Sequence, residues 1–332
     1  TTENPVLDSL LDYPNIKYYV ALHEGIAVGA AGYYARASGK TAIANLHVAP
    51  GLGNAIGMLY GVLKASSPVI VTAGQQDTRM RLRQPILHHD LISIAEPVTK
   101  WAVEPQSADE IGPVMRRAFK IANEHPKGPV FVALPINVME QETDIAAEKT
   151  GRIYSENLAE IDGVENLAGL ILTSKCPAII AGDDVANNGA SPFLQELAEL
   201  TGSAVFTEYL RTRQPISNRH PNSRGRIPYE FSLVRKALQD HDFILMIGGQ
   251  FIEEVWFDKT SPFPERAKVT QLEAAPSRLA RNFSLDMGLV GDIKATLQTL
   301  VTTIQKKSTS TDIDQATKRN ETLRILKKEE KE

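Results

Sequence analysis

Residues 41–76 read TAIANLHVAP GLGNAIGMLY GVLKASSPVI VTAGQQ, and this stretch decides the fold. A short β-rich run, Thr41–Leu46, ends at His47. A loop holding Gly51 and Gly53 follows, and a helical pattern runs from Gly53 to Ala65. A second apolar run, Val69–Ala73, then leads into Gly74-Gln75-Gln76. Strand, helix, strand at this spacing implies a parallel sheet with helices on both faces. Both loops leave the carboxyl ends of their strands, where open α/β sheets place ligands and catalytic groups. The glycines do not spell G-x-G-x-x-G, so no dinucleotide fingerprint stands here.

The alternation extends outward. Upstream lie a candidate strand at Ile16–Ala21 and a helix at Gly25–Ser38. Downstream lie a strand at Val98–Trp101, a helix at Ala108–Glu124 and a strand at Val130–Leu134, closed by Pro135. Residues 1–142 thus form a first domain, and the polar segment 143–160 lacks an apolar stripe and reads as a linker. Residues 161–305 repeat the pattern. Helices are expected at Gly163–Ser174, Ser191–Thr201, Ser232–Gln239 and Ile293–Val301. Strands are expected at Pro177–Ala181, Ser203–Thr207, Phe243–Ile247 and Lys268–Glu273, with an interrupting loop at Arg211–Pro228. The expected fold class is therefore α/β, with two doubly wound, Rossmann-like parallel-sheet domains. From residue 306 to 332, fourteen of 27 residues are charged. Such a segment buries too little surface to order itself and reads as a solvated linker or frayed helix leading toward a further domain.

Composition bounds the function. The length of 332 residues suggests two domains, and 42% apolar with 23% charged residues excludes wholesale disorder. A net charge of -4 gives no argument for nucleic acid or an anionic membrane. The one cysteine, Cys176, excludes an internal disulfide and a cysteine zinc site, and fits a reducing cytoplasm. No apolar run reaches the ~18 residues of a spanning helix. The opening TTENPVLDSL has neither the basic nor the apolar region of a signal peptide, and the chain begins at Thr1 without methionine, as a fragment would.

Three places could carry chemistry. Glu24 sits at a strand-to-helix junction, followed by Gly25, Ala27, Gly29, Ala30, Ala31 and Gly32. The glycines lower helix propensity by up to ~1 kcal/mol each, which makes sense where another surface packs closely. By spacing alone, Glu24 is either a helix N-terminal acid favoured by the macrodipole or a catalytic carboxylate. His47, at a strand end before Gly51, Gly53 and Asn54, is either structural or a proton shuttle. Gln75 ends the next strand, and His88-His89 follow, too close in sequence to ligate one metal together. In the second domain, Asp183-Asp184 near Asn187-Asn188 suits turn chemistry better than metal binding. Arg278 and Arg281 read as solvated surface rather than a phosphate site.

The motifs TTENP, ALHEGIAVGAAGYYAR, ANLHVAPGLGNAIG, PVIVTAGQQ, GPVFVALPINV, PAIIAGDDVANNGA and GLVGDIKATL occur together. With them the chain resembles thiamine-diphosphate-dependent enzymes of the 2-keto-acid decarboxylase and acetohydroxyacid synthase superfamily. The resemblance covers their pyrimidine-binding and central domains, up to about Val301. Within that superfamily Leu46-His47, Gly53-Asn54 and TAGQQ look most like benzoylformate decarboxylases; acetohydroxyacid synthases typically carry Thr-Ser-Gly-Pro-Gly where this chain has His47–Gly51.

The resemblance implies a role for each residue. Glu24 would hydrogen-bond N1′ of the aminopyrimidine ring, sequestered and with a raised pKa, and promote the tautomer that activates the cofactor. His47 would contact the substrate carboxylate and move protons. Gly51, Gly53 and Asn54 would shape the cofactor pocket. Thr1 would stand near the family's substrate-contacting serine, with Gln75 and His88 as secondary substrate residues; the His88-His89 pair is similar to that of pyruvate decarboxylase-type enzymes. Magnesium and the diphosphate would be held by a Gly-Asp-Gly domain that this chain does not match, so no metal ligand is assigned here. The implied activity is non-oxidative decarboxylation of a small-molecule 2-keto acid to an aldehyde, in a homodimer or homotetramer with the site between subunits. The alternatives are an acetohydroxyacid-synthase-type carboligase and a non-catalytic regulatory or scaffolding subunit.

Overall fold

The computed structural model describes residues 2–146, 157–252 and 256–330. The chain divides into two compact units, Thr1–Ile153 and Tyr154–Glu332. The expected linker falls partly on residues 147–156, outside the described residues. Among the described residues no helix is long and apolar enough to cross a membrane.

The first unit is built on strands β1 (Ala42–Leu46), β2 (Val69–Gln75), β3 (Ala102–Val103) and β4 (Val130–Pro135). They pair in the order β1-β2-β4-β3, all parallel. Every residue of β2 and β4 is buried, as expected of a parallel sheet covered on both faces. Helices Glu24–Ser38 and Val48–Lys64 lie against each other over this sheet. Their approach is close because Gly32 has no side chain: a Cβ there would stand 2.8 Å from Val62 Cγ2.

Two expected strands differ. Ile16–Ala21 is not a strand; Ile16 is 56% and Val20 79% exposed. Among the described residues β1 pairs only with β2, so the run has no ladder partner and stays exposed along its length. Val98–Trp101 is displaced: Pro97 favours a 3₁₀ turn over Glu96–Val98, and the strand begins at Ala102. The helix expected from Gly53 begins five residues earlier, at Val48.

The second unit has β5 (Pro177–Ala181), β6 (Ala204–Thr207), β7 (Ser223–Arg226), β8 (Phe243–Ile247), β9 (Lys268–Glu273) and β10 (Met287–Val290). Their order is β10-β9-β8-β5-β6-β7, again all parallel. Sequence reading missed β7 and β10. β7 reads SRGR, without apolar periodicity, and is a strand because the edge of β6 offers it a ladder.

The chain runs outward from β5 on one side and returns to β8 on the other. That reversal is the place where doubly wound sheets open a crevice. Here it is tightly filled. A Cβ on Gly182 would stand 2.3 Å from the Gly248 carbonyl oxygen. The expectation that Arg278 is solvated is corrected: its guanidinium is buried and donates to Asp184 Oδ2 at 2.8 Å, where each charge compensates the other's loss of water. Asp183 accepts from the backbone N–H groups of Thr212 (2.8 Å) and Arg213 (2.8 Å), so it pins the loop after β6. Glu273 is fully buried beside them. It accepts from Gly249 N–H at 3.1 Å and Gln271 Nε2 at 3.2 Å, yet burial pushes its carboxyl up to about 7.

The C-terminal segment also departs from expectation. Ser310–Glu329 is a 20-residue helix, opened by a capping box between Thr309 and Asp312. It is ordered by docking, not by its own apolar surface. Arg319 donates to the Thr201 carbonyl at 2.7 Å and to the Ser174 carbonyl at 3.2 Å. Gly202, at φ +61°, ends helix Ser191–Thr201 and leaves room for Arg319 Cβ, 2.6 Å from where its own Cβ would be.

Two predictions follow from this unit. A folded-state pKa raised above the unfolded value gives stability that is present at low pH and lost as pH rises through the folded pKa. Glu273 should therefore cost the unit on the order of 3 kcal/mol between about pH 5 and pH 8. Urea unfolding across that range should show the loss in the parent and its absence in Glu273→Gln. Arg319→Met strips donors from two helix-end carbonyls and should lower stability by about 1–3 kcal/mol; an unchanged urea midpoint would contradict the docking account.

Candidate functional site

The site is assembled where β1 gives way to helix Val48–Lys64. His47 is the last residue before that helix. Val48 follows at φ +41° while fully buried. A β-branched residue held there costs on the order of 1–3 kcal/mol, and such strain persists only where the surroundings enforce it. Glu24 is the first residue of helix Glu24–Ser38, and His23 Nδ1 caps that helix by accepting the Gly25 N–H at 3.0 Å.

Gly51 brings the two elements together. A Cβ at Gly51 would lie 3.2 Å from Glu24 Oε1 and 3.3 Å from His47 Cβ. Glu24 and His47 therefore flank one glycine. One turn further, Asn54 Nδ2 donates to Glu24 Oε2 at 3.1 Å and orients the carboxylate. The four residues Glu24, His47, Gly51 and Asn54 form one constellation. Gly53 lies on the open face of the helix, and a Cβ there would meet nothing within 4 Å.

The expected sequestration of Glu24 is corrected. Its carboxyl is partly exposed, and its own backbone N–H, with the Asn54 amide, holds it below the usual carboxylate range. The small residues beside it keep the helix face open without themselves excluding water.

Sequence reasoning missed Thr2 and Glu3. Glu3 Oε1 lies 3.0 Å from His47 Nδ1 and accepts the Thr2 hydroxyl at 2.7 Å. Burial acts to raise the Glu3 pKa, but the hydrogen bonds from Thr2 and His47 outweigh it and hold the carboxyl below its ordinary value. The one legible signal was the polar TTEN start ahead of a helix. Thr1 itself lies outside the described residues. Gln75 is buried, and its amide is spent on the following loop: Nε2 donates to the His89 carbonyl at 2.8 Å, and Oε1 accepts the Gln76 N–H at 2.9 Å. His88 is half-buried on that same loop.

Comparison with known proteins gives these residues a context. Residues 1–94 match the family model described as thiamine pyrophosphate enzyme, N-terminal TPP binding domain, and residues 164–300 match thiamine pyrophosphate enzyme, central domain. A benzoylformate decarboxylase from Pseudomonas aeruginosa is 30% identical over 299 residues, 89% of this chain and 56% of that protein. An acetolactate synthase from Mycobacterium bovis is 29% identical over 302 residues, 90% of this chain and 48% of that protein. The crystal structure of a benzoylformate decarboxylase from Polynucleobacter necessarius superposes with a TM-score of 0.84 at 29% identity, over 92% of this chain and 57% of that chain.

The chain belongs to the thiamine pyrophosphate enzymes, of which it carries the N-terminal and central domains. It spans about half the length of the curated relatives it matches.

The residues present fit the ring half of thiamine diphosphate: an open carboxyl oriented by Asn54, above a glycine floor. They do not fit the magnesium. Among the described residues no group of three or more His, Cys, Asp or Glu side chains could hold a metal ion.

Two glycines in this unit separate steric need from open space. A Cβ on Gly74 would stand 2.3 Å from Thr2 Oγ1 and 2.7 Å from Glu3 Oε1. Gly74→Ala should cost about 1–3 kcal/mol of stability through overpacking. Gly53→Ala, in open space within a helix, should instead stabilise by up to about 1 kcal/mol. Equal urea midpoints for the two variants would contradict the placement of Thr2 and Glu3.

Proposed function

We propose that the complete protein decarboxylates a 2-keto acid to an aldehyde without oxidation, using thiamine diphosphate and Mg²⁺, in a homodimer or homotetramer. The observation that carries this reading is a histidine placed beside the cofactor acid: His47 and Glu24 flank Gly51. When bound, the cofactor supplies the electron sink that lets the carboxylate leave as CO₂. The rest is work for this chain's residues. Glu24 holds a proton at N1′ of the aminopyrimidine. Covering its open face with the flat aromatic ring would displace water and raise its pKa toward the protonated form, which the uncovered chain does not favour. Asn54 keeps the carboxyl turned to the ring. His47 takes the substrate carboxylate or carries the proton that replaces it, a task suited to an imidazole, which can both accept and donate a proton.

The 29% identical acetolactate synthase supports a second reading, carboligation, in which the decarboxylated substrate would join a second carbonyl compound instead of taking up a proton.

The two separate by product. The full-length protein with thiamine diphosphate and Mg²⁺ should release an aldehyde from benzoylformate or pyruvate. Accumulation of acetolactate from pyruvate would replace decarboxylation with carboligation. Glu24→Gln should retain the fold by circular dichroism and lose about 10²–10⁴-fold in kcat; unchanged turnover would refute the role of Glu24.

A further inference from the structure

Glu3 and His47 form a built contact. The Glu3 side chain is 11% exposed and that of His47 45%, with Nδ1 3.0 Å from Oε1. The same oxygen accepts the hydroxyl of Thr2, which is 3% exposed. Both side chains rest against Gly74, where no Cβ would fit. The Glu3 carboxylate is thus held by a donor on one side and by backbone beneath. An ionised carboxylate only accepts hydrogen bonds. The ring nitrogen facing it must carry the hydrogen, whether the imidazole is neutral or charged. Nε2 is then a lone-pair acceptor in the neutral ring and a donor in the charged one.

We infer that Glu3 is a positioning residue that fixes the Nδ1–H tautomer of His47 and leaves Nε2 as the ring nitrogen that meets substrate. The tautomer stands on the geometry alone; the meeting with substrate rests on the function proposed above. The hydrogen bond to the other ring nitrogen sets which nitrogen is free, and where such a partner orients a metal-bound histidine its loss typically costs about 10–100-fold, the scale expected here.

The tautomer is read directly from histidine ¹⁵N shifts in the selectively labelled 332-residue chain, with His47 assigned by the signal lost in His47→Gln. The parent should show Nδ1–H. In Glu3→Gln that preference should be lost, because an amide can donate to Nδ1 as well as accept from it. An Nε2–H form in the parent overturns the inference without any variant, and so does an unchanged tautomer in a folded Glu3→Gln.

Turnover by the full-length enzyme gives an independent arm. Glu3→Gln should lower kcat about 10–100-fold, yet cost nothing further in a His47→Gln background. Losses that multiply would assign Glu3 a structural role and overturn the inference. A parent with the predicted tautomer but no turnover of 2-keto acids would refute the proposed function and leave the Glu3–His47 pair standing.

Discussion

The absence of a side chain at Gly51 is the constraint on which the site depends. With no Cβ there, the carboxylate of Glu24 and the base of the His47 side chain can both approach one backbone position, 3.2 and 3.3 Å from where a Cβ would stand. Glu24 opens one helix and His47 precedes the next, where β1 ends, and the close approach of those two helices at Gly32 and Val62 holds the two starts in register. Asn54 and Glu3 then orient the two side chains from opposite ends. A carboxylate and an imidazole are thus set close together by the fold itself, and under the proposed function that is the preorganisation catalytic groups require.

The second unit repeats the layer architecture with its crevice closed. Its crevice at the strand reversal is occupied by the protein's own groups: Gly182 against Gly248, the Asp184–Arg278 ion pair, and the buried Glu273 carboxyl. A neutral acid tolerates that burial better than a carboxylate, so protonation and packing support each other there. The docked C-terminal helix adds a further restraint by capping helix ends through Arg319.

How much of this was legible in the sequence depended on which physical term dominated. β4, β5 and β8 are continuous apolar runs, and β2 begins as one, so burial on both faces made them legible as strands within a residue or two; β9, KVTQLE, was legible from its β-rich run despite its polar residues. β7 was invisible because its order comes from a neighbour's edge and not from SRGR itself. Ile16–Ala21 misled for the opposite reason: its residues favour a strand, but no partner pairs with it among the described residues. Glu24, His47, Gly51 and Asn54 stood out in sequence through the motifs HEGIAVG and LHVAPGLGN, and the fold brings these four together. Glu3 was not legible, since 44 residues separate it from His47 and only the fold brings them together. The low pKa of Glu24 was also missed; small neighbours were read as burial, whereas they leave the carboxyl open to hydrogen bonds from Asn54 and its own backbone.

The most direct test of the central claim is a crystal structure of the full-length protein with thiamine diphosphate bound. The account predicts the Glu24 carboxyl within hydrogen-bonding reach, about 2.6–3.2 Å, of a nitrogen of the aminopyrimidine ring, with His47 lining the same cavity. A ring bound elsewhere, with Glu24 still facing solvent, would contradict it.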